Sequence, residues 1–574
     1  MHFHPPMLVA LVALLATSVA GLGLRSDLAR KLQISAELGL DVNAVVGNGT
    51  SFRTMVAGFT DGEAPAEYVS IPIDHGNPSL GTYENRYWVN DAYYSPGGPV
   101  ILYDVGEANG EYGAPHLTSS TSFFRSLLQD FNAIGIVWEH RYYGESHPFP
   151  VNANTPPEQW RYLTTAQALA DIPYFADNFT RPAYPLVDLT PESTPWVMIG
   201  GSYPGVRAAL TRKEYPDTIF AAFAASAPVQ AQIDMSVYYE QIYRAMLANG
   251  YGNCARDIQA ALEWIDEQLA QEEKAAAVKQ LFFGPGADAN TNEEFTAALS
   301  GIYGYFQIHG FGGPVGSLDE FCSYLESDPE TGVSAGSEGL APTRGNQFVA
   351  EHWAAWPVFT KVVNDNLFTN CRGTNKSAAP ICELNNPPNE PDAIAWTWQY
   401  CSEWGFYQSN NVGVGALLSK YQTLEYQQFQ CNRLFPNALS SGILPQEPQV
   451  TALNAEYGGW TVRPSNVFWS SGEFDPWRTL GLFSTESFAP QGITVTTEIP
   501  QCGVETATDT VFGYIGANLY HCFDFRDSQG ATESRNYFIQ ALRQWLPCFE
   551  KQKRVVTPPD STNQPARPWW FKST

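Results

Sequence analysis

At 574 residues the chain has room for about two to four domains and a sizeable core. Its 32 basic and 59 acidic residues give a formal charge of −27 at pH 7, which excludes a binder of nucleic acid or of anionic membranes. Nine cysteines fit an oxidising compartment, and the odd count leaves at least one free or paired with another chain.

The acidic surface suits an acidic medium, where protonation relieves self-repulsion, and equally suits an ordinary soluble secreted protein. Residues 1–20 read as a signal peptide, with an apolar run from Met7 to Val19 and a small-x-small ending at Ser18-Val19-Ala20. That run is too short for a membrane anchor, and no later stretch is long and apolar enough to span a bilayer. Residues 21–63 show modest helical character (Leu24, Leu28, Leu32) and then a loop, which fits a pro-segment or an N-terminal arm. Asn48, Asn178 and Asn375 head N-x-Ser/Thr sequons and are plausible glycan sites.

Residues 64–229 alternate strand and helix. Residues 67–89 form a pair of antiparallel strands about an Asp74–Pro78 turn, with His75 expected at the surface. Residues 99–105 are a buried strand ending in Gly106-Glu107-Ala108-Asn109-Gly110. A helix at 123–129 and a strand at 133–138 lead into Glu139-His140-Arg141-Tyr142-Tyr143-Gly144-Glu145-Ser146, read as support for a cleft wall. A helix at 164–175, with Pro173 near its end, precedes the apolar run Trp196–Ile199. Gly200-Gly201-Ser202 follows, then a helix at 206–213. Ser202 thus sits at a sharp strand-to-helix turn, the setting of a nucleophile elbow. The usual pattern is G-x-S-x-G; Pro204 stands where the second glycine belongs. Another buried strand is expected at 219–225.

Residues 230–437 break the alternation. They carry a long amphipathic helix pattern at 253–283, and Cys322, Cys371, Cys382, Cys401 and Cys431. This block reads as an inserted, mainly helical, disulfide-stapled cap; Cys371 and Cys382 are close enough to close a small loop. Alternation resumes over 438–554, with strands at 467–470 and 493–499 and a closing helix at 534–546. Residues 555–574 form a polar, proline-rich tail.

Ser202, Asp475 and His521 fall in the chain order Ser, acid, His, the acid just after a strand and His521 before the last helix. That is the α/β-hydrolase plan: a mostly parallel sheet core in which His521 moves the Ser202 proton and Asp475 holds the imidazole. Tyr203 N–H, with Gly106 or Glu107 N–H from the loop after the third strand, supplies the oxyanion donors. No H-E-x-x-H, paired C-x-x-C or P-loop pattern occurs, so neither a metal nor another cofactor is expected.

The EHRYYGES stretch at 139–146, Gly200-Gly201-Ser202-Tyr203, the run from Trp396 to Phe406, Asp475-Pro476-Trp477 and the His521 segment together resemble one family. It comprises the secreted and lysosomal serine peptidases that include prolyl carboxypeptidase, dipeptidyl peptidase II and the fungal acid prolyl endopeptidases. The resemblance covers about residues 65–550. It implies the Ser202–Asp475–His521 triad, cleavage of peptides on the carboxyl side of proline, often at acid pH, and Trp477 lining the proline pocket. It places the protein outside the cell or in a lysosome-like compartment. A lipase or carboxylesterase on the same fold, and a non-catalytic hydrolase-fold binding protein, are the alternatives.

Overall fold

A computed structural model describes residues 26–40, 62 and 64–555, apart from 386, 387, 411 and 412. The leader, Asn48, most of the 21–63 arm and the tail beyond 555 lie outside the described residues.

The strands are β1 (Ala66–Pro72), β2 (Thr82–Asn90), β3 (Val100–Asp104), β4 (Ile134–Trp138), β5 (Trp196–Gly201), β6 (Ile219–Ala225), β7 (Gln232–Asp234), β8 (Gly405–Tyr407), β9 (Val467–Gly472), β10 (Thr494–Thr496) and β11 (Thr510–Gly516). Nine of them form one sheet in the order β1-β2-β4-β3-β5-β6-β9-β11-β10. β2 runs antiparallel to both β1 and β4, and the remaining pairs are parallel. This is an α/β-hydrolase core.

The sequence explains the layers. β5 is buried at every position because helices cover both faces of the sheet, so it reads as a continuous apolar run. Trp196 and Met198 pack in one cluster with Leu169, Ile172 and Phe175 of α3 (Thr165–Ala176). Val197 and Ile199 point the other way, toward Leu127 of α2 (Phe123–Phe131) and Leu542 of the closing helix. Strand β11 did not show in the sequence. Its Gly513 breaks the apolar pattern, yet a Cβ there would lie 2.4 Å from the Trp469 carbonyl oxygen of β9, so the close strand approach requires it.

Before the sheet, α1 (Ser26–Leu38) packs on α8 (Phe306–His309), α9 (Pro391–Gln399) and the Gly110–Tyr112 turn. Its buried Glu37 accepts a hydrogen bond from Tyr103 and pairs with His116 at 3.0 Å. α4 (Tyr203–Glu214) follows β5.

Between β6 and β9 the chain is mainly helical, with one two-stranded ladder, β7–β8. It includes α5 (Val237–Ala248), α6 (Gly252–Leu269) and α7 (Glu272–Phe283). The single helix expected over 253–283 is two, because Gln271 adopts extended geometry between them. Disulfides Cys254–Cys322, Cys371–Cys382 and Cys401–Cys431 staple this block, and Cys502–Cys548 ties the core's last part to α10 (Gln529–Val555). Cys522 is buried and free. Among the described residues no helix is long and apolar enough to cross a membrane.

Candidate active site

Ser202 follows β5 and caps α4 with φ 69° and ψ −134°, a conformation that costs a non-glycine residue on the order of 1–3 kcal/mol. Its N–H donates to the Ala225 carbonyl at 2.8 Å, tying the turn to β6. The glycines around it are steric necessities. A Cβ on Gly200 would lie 2.3 Å from backbone atoms of Pro204, and one on Gly205 would lie 2.7 Å from the Ala225 oxygen. The close-approach glycine missing at 204 is therefore supplied one residue later. Pro204 occupies the first helical turn, where a missing N–H costs nothing.

Asp475 and His521 arrive from the ends of neighbouring strands. Asp475 follows β9 and caps the Pro476–Leu480 turn through the Trp477 N–H at 2.9 Å. His521 follows β11, and its Nδ1 lies 2.9 and 3.0 Å from the two Asp475 carboxylate oxygens. Both side chains are fully buried, whereas Ser202 is half-buried. Burial disfavours a charged His521 ring, but Asp475, helped by Cys522, more than offsets this and raises its pKa to about 10. Nε2 makes no hydrogen bond among the described residues. The His521 segment packs on the Ser202 turn: a Cβ on Gly201 would lie 2.8 Å from Cys522 Sγ, and the Cys522 N–H donates to Ser226 Oγ.

The expected oxyanion donors separate. Tyr203 N–H is the first of α4, at the positive end of the helix, with no preceding helical carbonyl to take it. Gly106 N–H donates to Asp104 Oδ1 at 3.1 Å. Asp104 also holds the Arg207 guanidinium at 2.5 Å, fixing the loop to α4 from behind. Gly106 also serves by lacking a side chain: at φ 76°, a Cβ would lie 2.2 Å from Pro204 Cγ. Glu107 is the next residue in the same loop.

The 139–146 stretch wraps around Glu139. Its buried carboxylate accepts from Gly110 N–H, Glu145 N–H and Ser146 Oγ, and pairs with Arg86 at 2.7 Å. Arg141 pairs with Asp171 of α3 at 2.5 Å. His75 also reaches Asp171, at 2.7 Å, so it is a tether of the turn rather than a free surface residue. His140 is fully buried.

Trp477 is buried, with Phe406 at 5.2 Å, Tyr238 at 5.9 Å and the His521 ring at 6.4 Å between centroids. Gln307 of α8 was not anticipated. Its carbonyl accepts from His521 N–H, and its side-chain oxygen accepts from Trp477 Nε1 at 2.8 Å. Nothing in its short, irregular stretch of sequence distinguishes it. Asn178 and Asn375 are both exposed. Among the described residues no group of three His, Cys, Asp or Glu side chains is placed to hold a metal ion.

A family model described as serine carboxypeptidase S28 matches residues 72–498. A probable extracellular serine carboxypeptidase of Arthroderma benhamiae is 29% identical over 454 residues, covering 73% of this chain and 60% of that protein's length. The thymus-specific serine protease of Mus musculus is 26% identical, over 86% of this chain and 90% of its own. Among solved structures, a proline iminopeptidase of Mycobacterium smegmatis aligns over 83% of this chain and 99% of its own, at 11% identity and a TM-score of 0.31.

Proposed function

This chain belongs to the serine carboxypeptidase S28 family, and from that premise we propose that it is a secreted peptidase cleaving peptide bonds on the carboxyl side of proline. One observation carries the chemistry: the buried His521–Asp475 pair at 2.9 Å, packed against the strained turn that presents Ser202. Ser202 Oγ attacks the scissile carbonyl while His521 Nε2 takes its proton. The imidazolium so formed is stabilised by Asp475 and returns the proton to the leaving amine nitrogen. Water then enters by the same route in reverse, releasing the acyl group as a carboxylic acid and restoring Ser202. Tyr203 N–H and Glu107 N–H receive the developing oxyanion.

Proline enters through shape. Trp477, whose ring lies 6.4 Å from that of His521 and is braced edge-on by Phe406 and Tyr238, offers a flat aromatic face that suits a pyrrolidine ring and selects by packing. Hydrolysis of a blocked prolyl anilide compared with a p-nitrophenyl ester tests this. Preference for the anilide supports the peptidase; turnover of the ester alone would make it an esterase. Failure of both, and of free-ended prolyl peptides as well, would leave a binding protein.

We extend the proposal to acidic media. Burial raises the Asp524, Glu403 and Glu326 carboxyls to about 6, 7 and 8, so the folded chain holds protons there and gains stability as pH falls. Asp475 acts the other way on catalysis, because it favours the imidazolium over the neutral base. The pH profile of kcat/KM decides. A maximum below about pH 6 supports acid operation, and a limb still rising above about pH 7 overturns it.

A further inference from the structure

Tyr203, the residue after Ser202, is clamped from two sides. His140 Nδ1 lies 2.7 Å from the Arg141 carbonyl oxygen, which only accepts, so Nδ1 carries the proton. Burial and the nearby Arg207 keep the ring neutral. Nε2 is therefore an acceptor, and the Tyr203 hydroxyl donates to it at 3.1 Å. The Tyr203 oxygen in turn accepts from Gln399 Nε2 at 2.7 Å, and Gln399 Oε1 accepts from the Tyr143 hydroxyl at 2.5 Å. Each link pairs a donor with an acceptor, so the chain has one direction: Tyr143 to Gln399 to Tyr203 to His140 to the Arg141 carbonyl. All four side chains are buried.

Gln399 comes from the helical block, at the end of α9. The next residues, Tyr400–Trp404, form a π-helical turn, a local irregularity often found at functional sites. Cys401–Cys431 pins that turn, and Glu403 within it accepts both the N–H and the hydroxyl of Thr165 in α3. Trp396 and Trp404, from the same stretch, pack on the Tyr203 ring at 5.5 and 5.9 Å. The helical block thus encloses the side chain of the residue whose backbone N–H the proposed mechanism assigns to the oxyanion. A strained turn such as that at Ser202 persists only where its surroundings over-determine it.

Resting on Ser202 as nucleophile, we propose that Gln399 and His140 are positioning residues. They hold Tyr203, and through it the oxyanion N–H, so that catalysis requires the helical block to be seated on the core. Neither touches the substrate.

The test compares wild type with Gln399→Leu, Tyr203→Phe and the double variant in the full chain. The readouts are kcat and KM on a prolyl anilide, the rate of Ser202 labelling by a small fluorophosphonate without proline, and melting temperature. Each single variant is expected to lose on the order of 10-fold or more in kcat and labelling rate, with KM within about three-fold. The double variant should be no slower than the slower single, because both cut one chain. Tyr203→Phe keeps the ring between the tryptophans and serves if Gln399→Leu does not fold. Folded variants labelled at the wild-type rate would overturn the positioning role while Ser202 stands. An unlabelled wild type would overturn the nucleophile itself, and this inference with it.

Discussion

Asp524→Asn should flatten the dependence of stability on pH. Asp524 is fully buried and accepts from the hydroxyls of Ser470, in β9, and Ser534, in α10. Burial raises its carboxyl from 3.8 to about 6, although both serines pull it back. A carboxyl with a raised folded-state pKa binds its proton more tightly in the folded chain. Its contribution is present below the unfolded value and is lost as pH rises through about 6. At about 1.4 kcal/mol per unit, the loss is on the order of 3 kcal/mol. Asparagine keeps the shape, accepting from one serine and donating to the other, and has no proton to lose. With an unfolding entropy of about 2 cal/mol/K per residue, that loss corresponds to roughly 3 °C for a chain of this size. Thermal melts at about pH 4 and about pH 7.5 measure it. Asp524→Asn should melt roughly 3 °C above wild type at the higher pH and level with it at the lower. Parallel displacement at both pH values, or a less stable variant at the higher one, would refute the reasoning.

Asp475→Asn should lower kcat by about 10⁴-fold with little change in KM, because the imidazolium loses its partner; steady-state kinetics on a prolyl anilide shows it. Gly106→Ala would put a Cβ 2.2 Å from Pro204 Cγ at a backbone conformation alanine resists, so kcat should fall on the order of 10²-fold. Adding Pro204→Ala should recover part of that loss, and no recovery would place the damage elsewhere. Trp477→Ala should narrow the preference for proline over alanine at the cleavage site by about 10-fold or more, read as the ratio of kcat/KM values.

The core and the candidate site were legible where one local signal served one purpose. β5 reads as an apolar run because both its faces are covered, and the glycines at 200 and 201 mark the turn that Ser202 ends. Asp475 and His521 could be proposed because the hydrolase plan ties chain order to strand ends. β11 was hidden because Gly513 yields its side chain to Trp469 of β9, a relation between strands that no single stretch displays. Gly106 shows a second relation of that kind. Its value lies in what it leaves open for Pro204, and its N–H donates to Asp104. Gln307 and Gln399 come from the helical block, far in sequence from the residues they touch. Gln307 sits in no marked stretch, and Gln399, although inside the Trp396–Phe406 run, carries no sign there of which residue it touches.

The most direct measurement is cleavage of a blocked peptide carrying an internal proline, at acid pH, by wild type and by Ser202→Ala. The wild type is expected to cut after the proline, in the blocked peptide if it is an endopeptidase or only in the free-ended counterpart if it is an exopeptidase, and Ser202→Ala to lose on the order of 10³-fold or more of that activity. Full activity in Ser202→Ala would contradict the triad and the function built on it.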